Sequence, residues 1–104
     1  MADAETDVTV TDNADAHRFE ARGHEPGGDK LLGFAEYRLD GGSMVFTHTQ
    51  VADEAEGRGV GSALATFGLD DARTRGLTVV PKCPFIRSYI ERHPEYADLL
   101  APSN

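Results

Sequence analysis

Residues 55–76 read AEGRGVGSALATFGLDDARTRG, with glycines at 57, 59 and 61 directly ahead of a stretch with helical spacing. A helix start leaves its first backbone N–H groups without intrahelical partners, and the helix dipole adds partial positive charge there. Gly57, Gly59 and Gly61 remove the side chains that would hold a phosphate group away from those amides, so the chemistry on offer is anion binding. The same glycines also suit a turn that lets the helix pack closely. Two familiar phosphate loops do not fit. A nucleoside-triphosphate loop needs Lys followed by Ser or Thr after its last glycine, whereas Gly61 is followed by Ser62 and Ala63. A dinucleotide fingerprint counted from Gly57 puts Ser62 where a third glycine or alanine belongs, behind an antiparallel hairpin instead of a βαβ unit.

Cys83 precedes Pro84, a residue suited to the first position of a helix. A thiol at that point gains thiolate character from the helix terminus, with Lys82 adding to it, and can act as a nucleophile or a base. It can equally be a small buried hydrophobe at a strand end. Tyr89, one turn beyond Phe85, offers an aromatic ring for the core. His48 is expected on the second strand of a hairpin, on the face shared with Phe46 and Gln50, as a base, an acceptor contact or a hydrogen-bonded core histidine. His17, His24 and His93 are not spaced with acids or with Cys83 as metal ligands would be, so no metal is expected.

The elements that must position these groups follow from the pattern. Residues 8–11 alternate as a first strand, and 18–22 form a second around Phe19 and Ala21. Glu25, Pro26, Gly27, Gly28 and Asp29 are turn chemistry. Residues 31–39 alternate, with Ala35, Tyr37 and Leu39 on one side and Glu36 and Arg38 on the other. A turn at 40–43 joins them to the β-branched and aromatic run 44–51, giving an antiparallel hairpin. A helix is predicted from Val60 to Arg75, stopped by Gly76, with Val60, Leu64, Gly68 and Ala72 on one narrow stripe. Gly68 costs roughly 1 kcal/mol against alanine, which points to a packing requirement. Phe67 and Leu69 flank the stripe on opposite sides. Residues 77–80 form a short strand, parallel to the one before the helix because the helix carries the chain back. A second helix starts at Pro84, with Ile86 and Ile90 a turn apart, and ends at Pro94.

At 104 residues the chain supports one core. It reads as an acidic tail at 1–7 and a single domain over 8–100. Hydrophobic residues at 39% and charged residues at 27% are ordinary globular values, and no apolar run approaches the roughly 20 residues that cross a bilayer. The opening MADAETDVTV lacks the basic flank and apolar stretch of a secretory signal, so the expected location is cytoplasmic. The one cysteine agrees with a reducing compartment. A net charge of -8 argues against nucleic acid as a partner. Arg73, Arg75, Lys82, Arg87 and Arg92 nevertheless make a basic strip that suits a small polyanion or solvated helix ends.

Val51 followed by Glu56, Gly57, Arg58, Gly59, Val60, Gly61 and Ser62 resembles the pyrophosphate loop of the GNAT N-acetyltransferases. There a strand-ending valine precedes a run of Arg/Gln-Gly-x-Gly-Ile/Val-Gly/Ala at this spacing. Phe46, Thr47, His48 and Thr49 before the loop, with the run from Val80 through Cys83, Pro84 and Phe85 and the run His93, Pro94, Glu95, Tyr96 after it, resemble the very small single-domain branch. The resemblance covers about 8–100. It implies an α/β GNAT-like fold: a mostly antiparallel sheet, a parallel strand pair splayed at the cofactor site, and two main helices. It implies acetyl-CoA held by backbone amides of 57–62, with the backbone of Val51 offered to the pantetheine arm. Glu56 stands where the wider family often has Arg or Gln and is left out of the binding set, while Arg58 is either a cationic contact or solvent-facing. It further implies acetyl transfer to an amine-bearing acceptor, with Cys83 taking the acetyl group or acting as base and Tyr89 protonating the departing thiolate. Residues 11–18 are too few for the two helices that cover the acceptor in larger members, so the acceptor side should be open, and its acidity favours a cationic peptide, protein or polyamine. The protein is expected to be a monomer or weak dimer, with no membrane partner. A non-enzymatic acyl-CoA sensor or interaction module, and a structural domain with an unused glycine turn, fit the same letters.

Overall fold

The computed structural model describes residues 8–25 and 28–100. The expected tail at 1–7, the centre of the turn at 25–29 and the side chain of His24 lie outside the described residues. The alternating stretches form β1 (Val8–Asn13), β2 (Arg18–Glu25), β3 (Gly28–Asp40) and β4 (Ser43–Val51). Then follow α1 (Val60–Thr74), β5 (Thr78–Pro81) and α2 (Pro84–Arg92). The strands make one sheet in the order β1-β2-β3-β4-β5. The first three pairings are antiparallel, and β4 with β5 is parallel, because α1 returns the chain to the starting end of the sheet. That parallel pairing ends at Phe46 opposite Pro81, while β4 continues to Val51.

One face of the sheet carries the core. Phe19, Ala21, Ala35, Tyr37, Met44 and Phe46 are buried there with Val60, Leu64, Gly68 and Ala72, the narrow stripe of α1. A Cβ on Gly68 would stand 2.9 Å from Cζ of Phe46 and 3.2 Å from Cε2 of Phe19, so the absent side chain is what lets the helix lie on these rings. Leu69 is fully buried, whereas Phe67 is 37% exposed and meets Phe19 edge to face at 5.6 Å. Leu39 was expected on the buried side. It is 51% exposed, because it pairs with Met44 at the end of the sheet beside the turn.

The register slips between Glu36 and Tyr37: Tyr37 faces Phe46, but Glu36 faces His48, leaving Thr47 as an extra residue in β4. This bulge overturns one expectation about His48. Tyr37 and Glu36 are neighbours on a strand and point to opposite faces, so their partners Phe46 and His48 do too. His48 therefore shares a face with Gln50, its hydrogen-bond partner at 3.3 Å, and not with the buried Phe46.

That outer face holds a buried carboxylate. Glu20 is 5% exposed and accepts hydrogen bonds from Arg18 Nε (2.8 Å), Arg22 Nη2 (2.9 Å) and Asn13 Nδ2 (3.1 Å). The Arg18 bond foremost, supported by Asn13 and Arg22 and opposed by burial, lowers its pKa to about 2. Two tyrosines donate to carboxylates: Tyr37 of β3 to Asp12 of β1 at 2.6 Å, and Tyr96 to Asp70 of α1 at 2.9 Å. Burial, then the carboxylate partner, raises both phenols to about 12. The predicted basic strip is partly neutralised, since Arg73 pairs with Asp98 at 2.9 Å, and Arg75 with Asp12 at 2.7 Å and Asp71 at 2.8 Å. Among the described residues no helix is long and apolar enough to cross a membrane.

Candidate active site

An open cleft of about 340 Å³ lies where β4 ends, α1 begins and α2 begins. Val51, Gly57, Gly59, Val60, Gly61 and Ser62 line it, together with Phe85, Ala55 and Glu56. Between β4 and α1 the chain makes a 3-10 turn, Asp53–Ala55, whose residue Ala55 is fully buried and anchors the loop. Gly57 and Gly59 have φ of 87° and 79°, a left-handed backbone that L side chains rarely adopt, and a Cβ on either would meet nothing within 4 Å. Gly59 caps α1 without a side-chain hydrogen bond, and its carbonyl accepts from Ala63 N–H at 2.9 Å. Among the described residues no acceptor takes the amides of Gly57 or of residues 59–62. Arg58 differs: its amide bonds to Ala55 O at 3.2 Å, and its side chain is not part of the cleft wall. An anionic group fits here on two counts, the row of uncommitted donors and the empty space in front of them.

Gly61 has another purpose. Its backbone is not left-handed, and a Cβ there would stand 2.8 Å from Cζ of Phe85, so the glycine seats that ring against the first turn of α1. Phe85 thereby becomes a wall of the cleft facing Val51 across the opening of β4 and β5. The nearby acid Glu56 is exposed on the rim, with its amide given to Asp53 O at 3.2 Å.

Cys83 is the residue before α2, 3% exposed, with its N–H on Phe46 O at 3.0 Å. Its thiol donates to Thr49 Oγ1 at 3.3 Å, joining the start of α2 to β4 two residues before Val51. Thr49 pairs with the buried Ala35 and lies on the core side of the sheet, so the bulge that turns His48 outward is what turns Thr49 toward the thiol. Tyr89 is 6% exposed, and its hydroxyl shares a hydrogen bond of 2.6 Å with Thr66 of α1. Its ring stacks on His93 at 3.9 Å, and His93 Nδ1 lies 2.8 Å from Tyr89 O. None of the three sequence candidates for chemistry lines the cleft: Cys83 comes two residues before its wall Phe85 and bonds to Thr49, two before Val51, Tyr89 is committed to Thr66, and His48 lies on the other face of the sheet with Phe34 and Gln50. Among the described residues no three His, Cys, Asp or Glu side chains gather as a metal site.

Sequence reasoning did not single out Thr49, Ala55 or Phe85. Thr49 and Phe85 stand inside motifs read for other residues, yet Thr49 is 34 positions from the thiol it meets. No local periodicity links such a pair.

Residues 18–99 match the model of a family described as GCN5-related N-acetyl-transferase. Among solved structures, a GCN5-like protein from Staphylococcus aureus, determined by NMR in solution, superposes with a TM-score of 0.69 at 24% identity, covering 95% of this chain and 93% of that one. At that identity the likeness shows the fold. No curated protein sequence matches the chain.

Proposed function

Because the chain belongs to the GCN5-related N-acetyltransferase family, we propose that it moves an acetyl group from acetyl-CoA to an amine-bearing acceptor, with the diphosphate of CoA on the amides of Gly57 and residues 59–62. The observation that carries this reading is the row of uncommitted amides opening on the cleft, whose wall residue Phe85 stands two positions after Cys83. Val51 and Phe85 form the walls between which the pantetheine arm runs toward the thiol side of β4. Bound acetyl-CoA supplies an activated thioester. In the net reaction the acceptor nitrogen forms a bond to the acetyl carbon, the carbon–sulfur bond breaks, and the amine proton leaves while the CoA sulfur ends as a thiol. The amine must be neutral to attack, so a group must receive its proton. Cys83 as a thiolate serves here as that base, taking the amine proton and returning it to the departing CoA sulfur, or as a relay nucleophile that takes the acetyl carbon from the CoA sulfur and gives it up to the amine, while Thr49 Oγ1 orients its sulfur. Tyr89 stays with Thr66 and supports α2.

Isothermal titration of acetyl-CoA into the wild-type protein and Cys83→Ala, paired with an acetyl-transfer assay on a panel of amines, tests this. Both proteins should bind alike, and the variant should lose at least about a hundredfold in turnover, the scale of general-base or nucleophilic catalysis. Absence of binding overturns the loop assignment. Undiminished turnover in Cys83→Ala removes the cysteine from the chemistry, and binding without turnover on any amine favours a sensor.

A further inference from the structure

A second groove, of about 520 Å³, lies between β1 and the first half of α1. Val8 and Val10 of β1 form one wall, and Thr66, Phe67 and Asp70 of α1 the other. It meets the first cleft at Gly59 and Ser62, which line both. The diphosphate reading above gives a ligand with two ends leaving the loop. If one end runs past Val51 and Phe85, the other must leave across Gly59 and Ser62, and this groove begins there.

The lining has the character of a nucleoside site: mostly apolar walls with few polar groups. Phe67 is 37% exposed yet held edge to face against the buried Phe19, so its ring is open to a partner without being free to move away. Ser62 and Asp70 are two turns apart on the helix, about 12 Å along its axis, a span for one sugar and one base. Asp70 takes the Tyr96 hydroxyl on Oδ1, which leaves Oδ2 as an acceptor for an exocyclic amine.

We propose that the groove between β1 and α1 binds the purine nucleoside end of CoA, with the base against Phe67 and its amino group toward Asp70. This rests on the loop reading, and the test separates the two. CoA and 4′-phosphopantetheine, which lacks the nucleoside, are titrated into the wild-type protein and Phe67→Ala. The wild type should bind CoA more tightly than the fragment. Phe67→Ala should weaken CoA roughly tenfold, the scale of one base stacked on an aromatic ring, and leave the fragment within twofold. Intermolecular nuclear Overhauser effects between the adenine H2 and H8 protons and the Phe67 ring in the wild-type complex give the same answer without a variant. Unchanged CoA affinity in Phe67→Ala, or adenine contacts confined to other residues, overturns the groove assignment and leaves the loop reading intact. A wild-type protein that binds neither molecule overturns the loop reading itself.

Discussion

Thr49 accepts the thiol hydrogen of Cys83 at 3.3 Å and is a positioning residue in the proposed reaction. Thr49→Val keeps the volume and removes the acceptor. One hydrogen bond is worth about 1 kcal/mol net, so acetyl transfer should slow roughly fivefold, with acetyl-CoA affinity held within twofold by the loop. Thr49→Ser should restore the rate; a loss that serine does not restore assigns the residue to packing. Glu20 makes a separate prediction, about stability. Its pKa is lowered from 4.5 to about 2 in the folded protein, so its stabilisation is fully present above the unfolded value and is lost as pH falls from about 5 toward 2. The full shift would be worth roughly 3 kcal/mol. Its cover is two guanidinium groups 27% and 41% exposed, whose contact with solvent screens the interaction to about 1–2 kcal/mol. In urea titrations Glu20→Gln should be less stable than the wild type by that amount at pH 7, and the gap should close by pH 2. A gap independent of pH would mean that shape, not charge, is what Glu20 contributes.

The glycines of α1 separate two kinds of close approach within one element. At Gly68 an added Cβ meets Phe46 and Phe19 in the core, where neither ring can withdraw. Gly68→Ala should therefore cost about 1–2 kcal/mol, overpacking exceeding the gain in helix propensity. At Gly61 the added Cβ meets the ring of Phe85, half-buried at the cleft rim, which can swing away. Gly61→Ala should leave the thermal midpoint nearly unchanged while weakening acetyl-CoA binding severalfold, because the displaced ring narrows the cleft. Equal loss of stability in the two variants would refute this division. The boundaries of α1 and the need for Gly68 were readable in the sequence, because a stripe repeating every four residues ends at a glycine. The purpose of Gly61 was not, since the ring it seats is 24 positions away. The outward turn of His48 was hidden for another reason: one extra residue in β4 reverses every face after it, and alternation in the letters does not mark the slip. The 3-10 segments at Ala14–Ala16, Asp53–Ala55 and Pro94–Leu99 lacked a signal because short i to i+3 turns carry no amphipathic period.

Across the whole molecule the two proposed substrates meet opposite electrostatics. Acetyl-CoA is a polyanion, approaching a protein of net charge -8 at a loop flanked by the exposed acids Asp53, Glu54 and Glu56. Glu54 is held in an ion pair with Lys30 at 2.6 Å. The loop must capture the diphosphate through short-range amide bonds against a repulsive field. A cationic acceptor feels the same field as attraction, and its path is short of obstacles: β1 and β2 are joined by the single 3-10 turn Ala14–Ala16 and His17, with no α-helix between them. Added salt shortens the Debye length from about 10 Å at 0.1 M to about 3 Å at 1 M, so it weakens both effects. The Kd of acetyl-CoA should therefore improve by about twofold to fivefold between 0.05 and 0.5 M sodium chloride. Over the same range kcat/KM for a lysine-rich peptide, at saturating acetyl-CoA, should fall about threefold to tenfold, while a small neutral amine changes less than twofold. A general effect of salt on folding would move all three in one direction. Opposite signs for donor and cationic acceptor are what an acidic molecule built around a row of bare amides requires, and a peptide rate indifferent to salt would put the acceptor among uncharged amines.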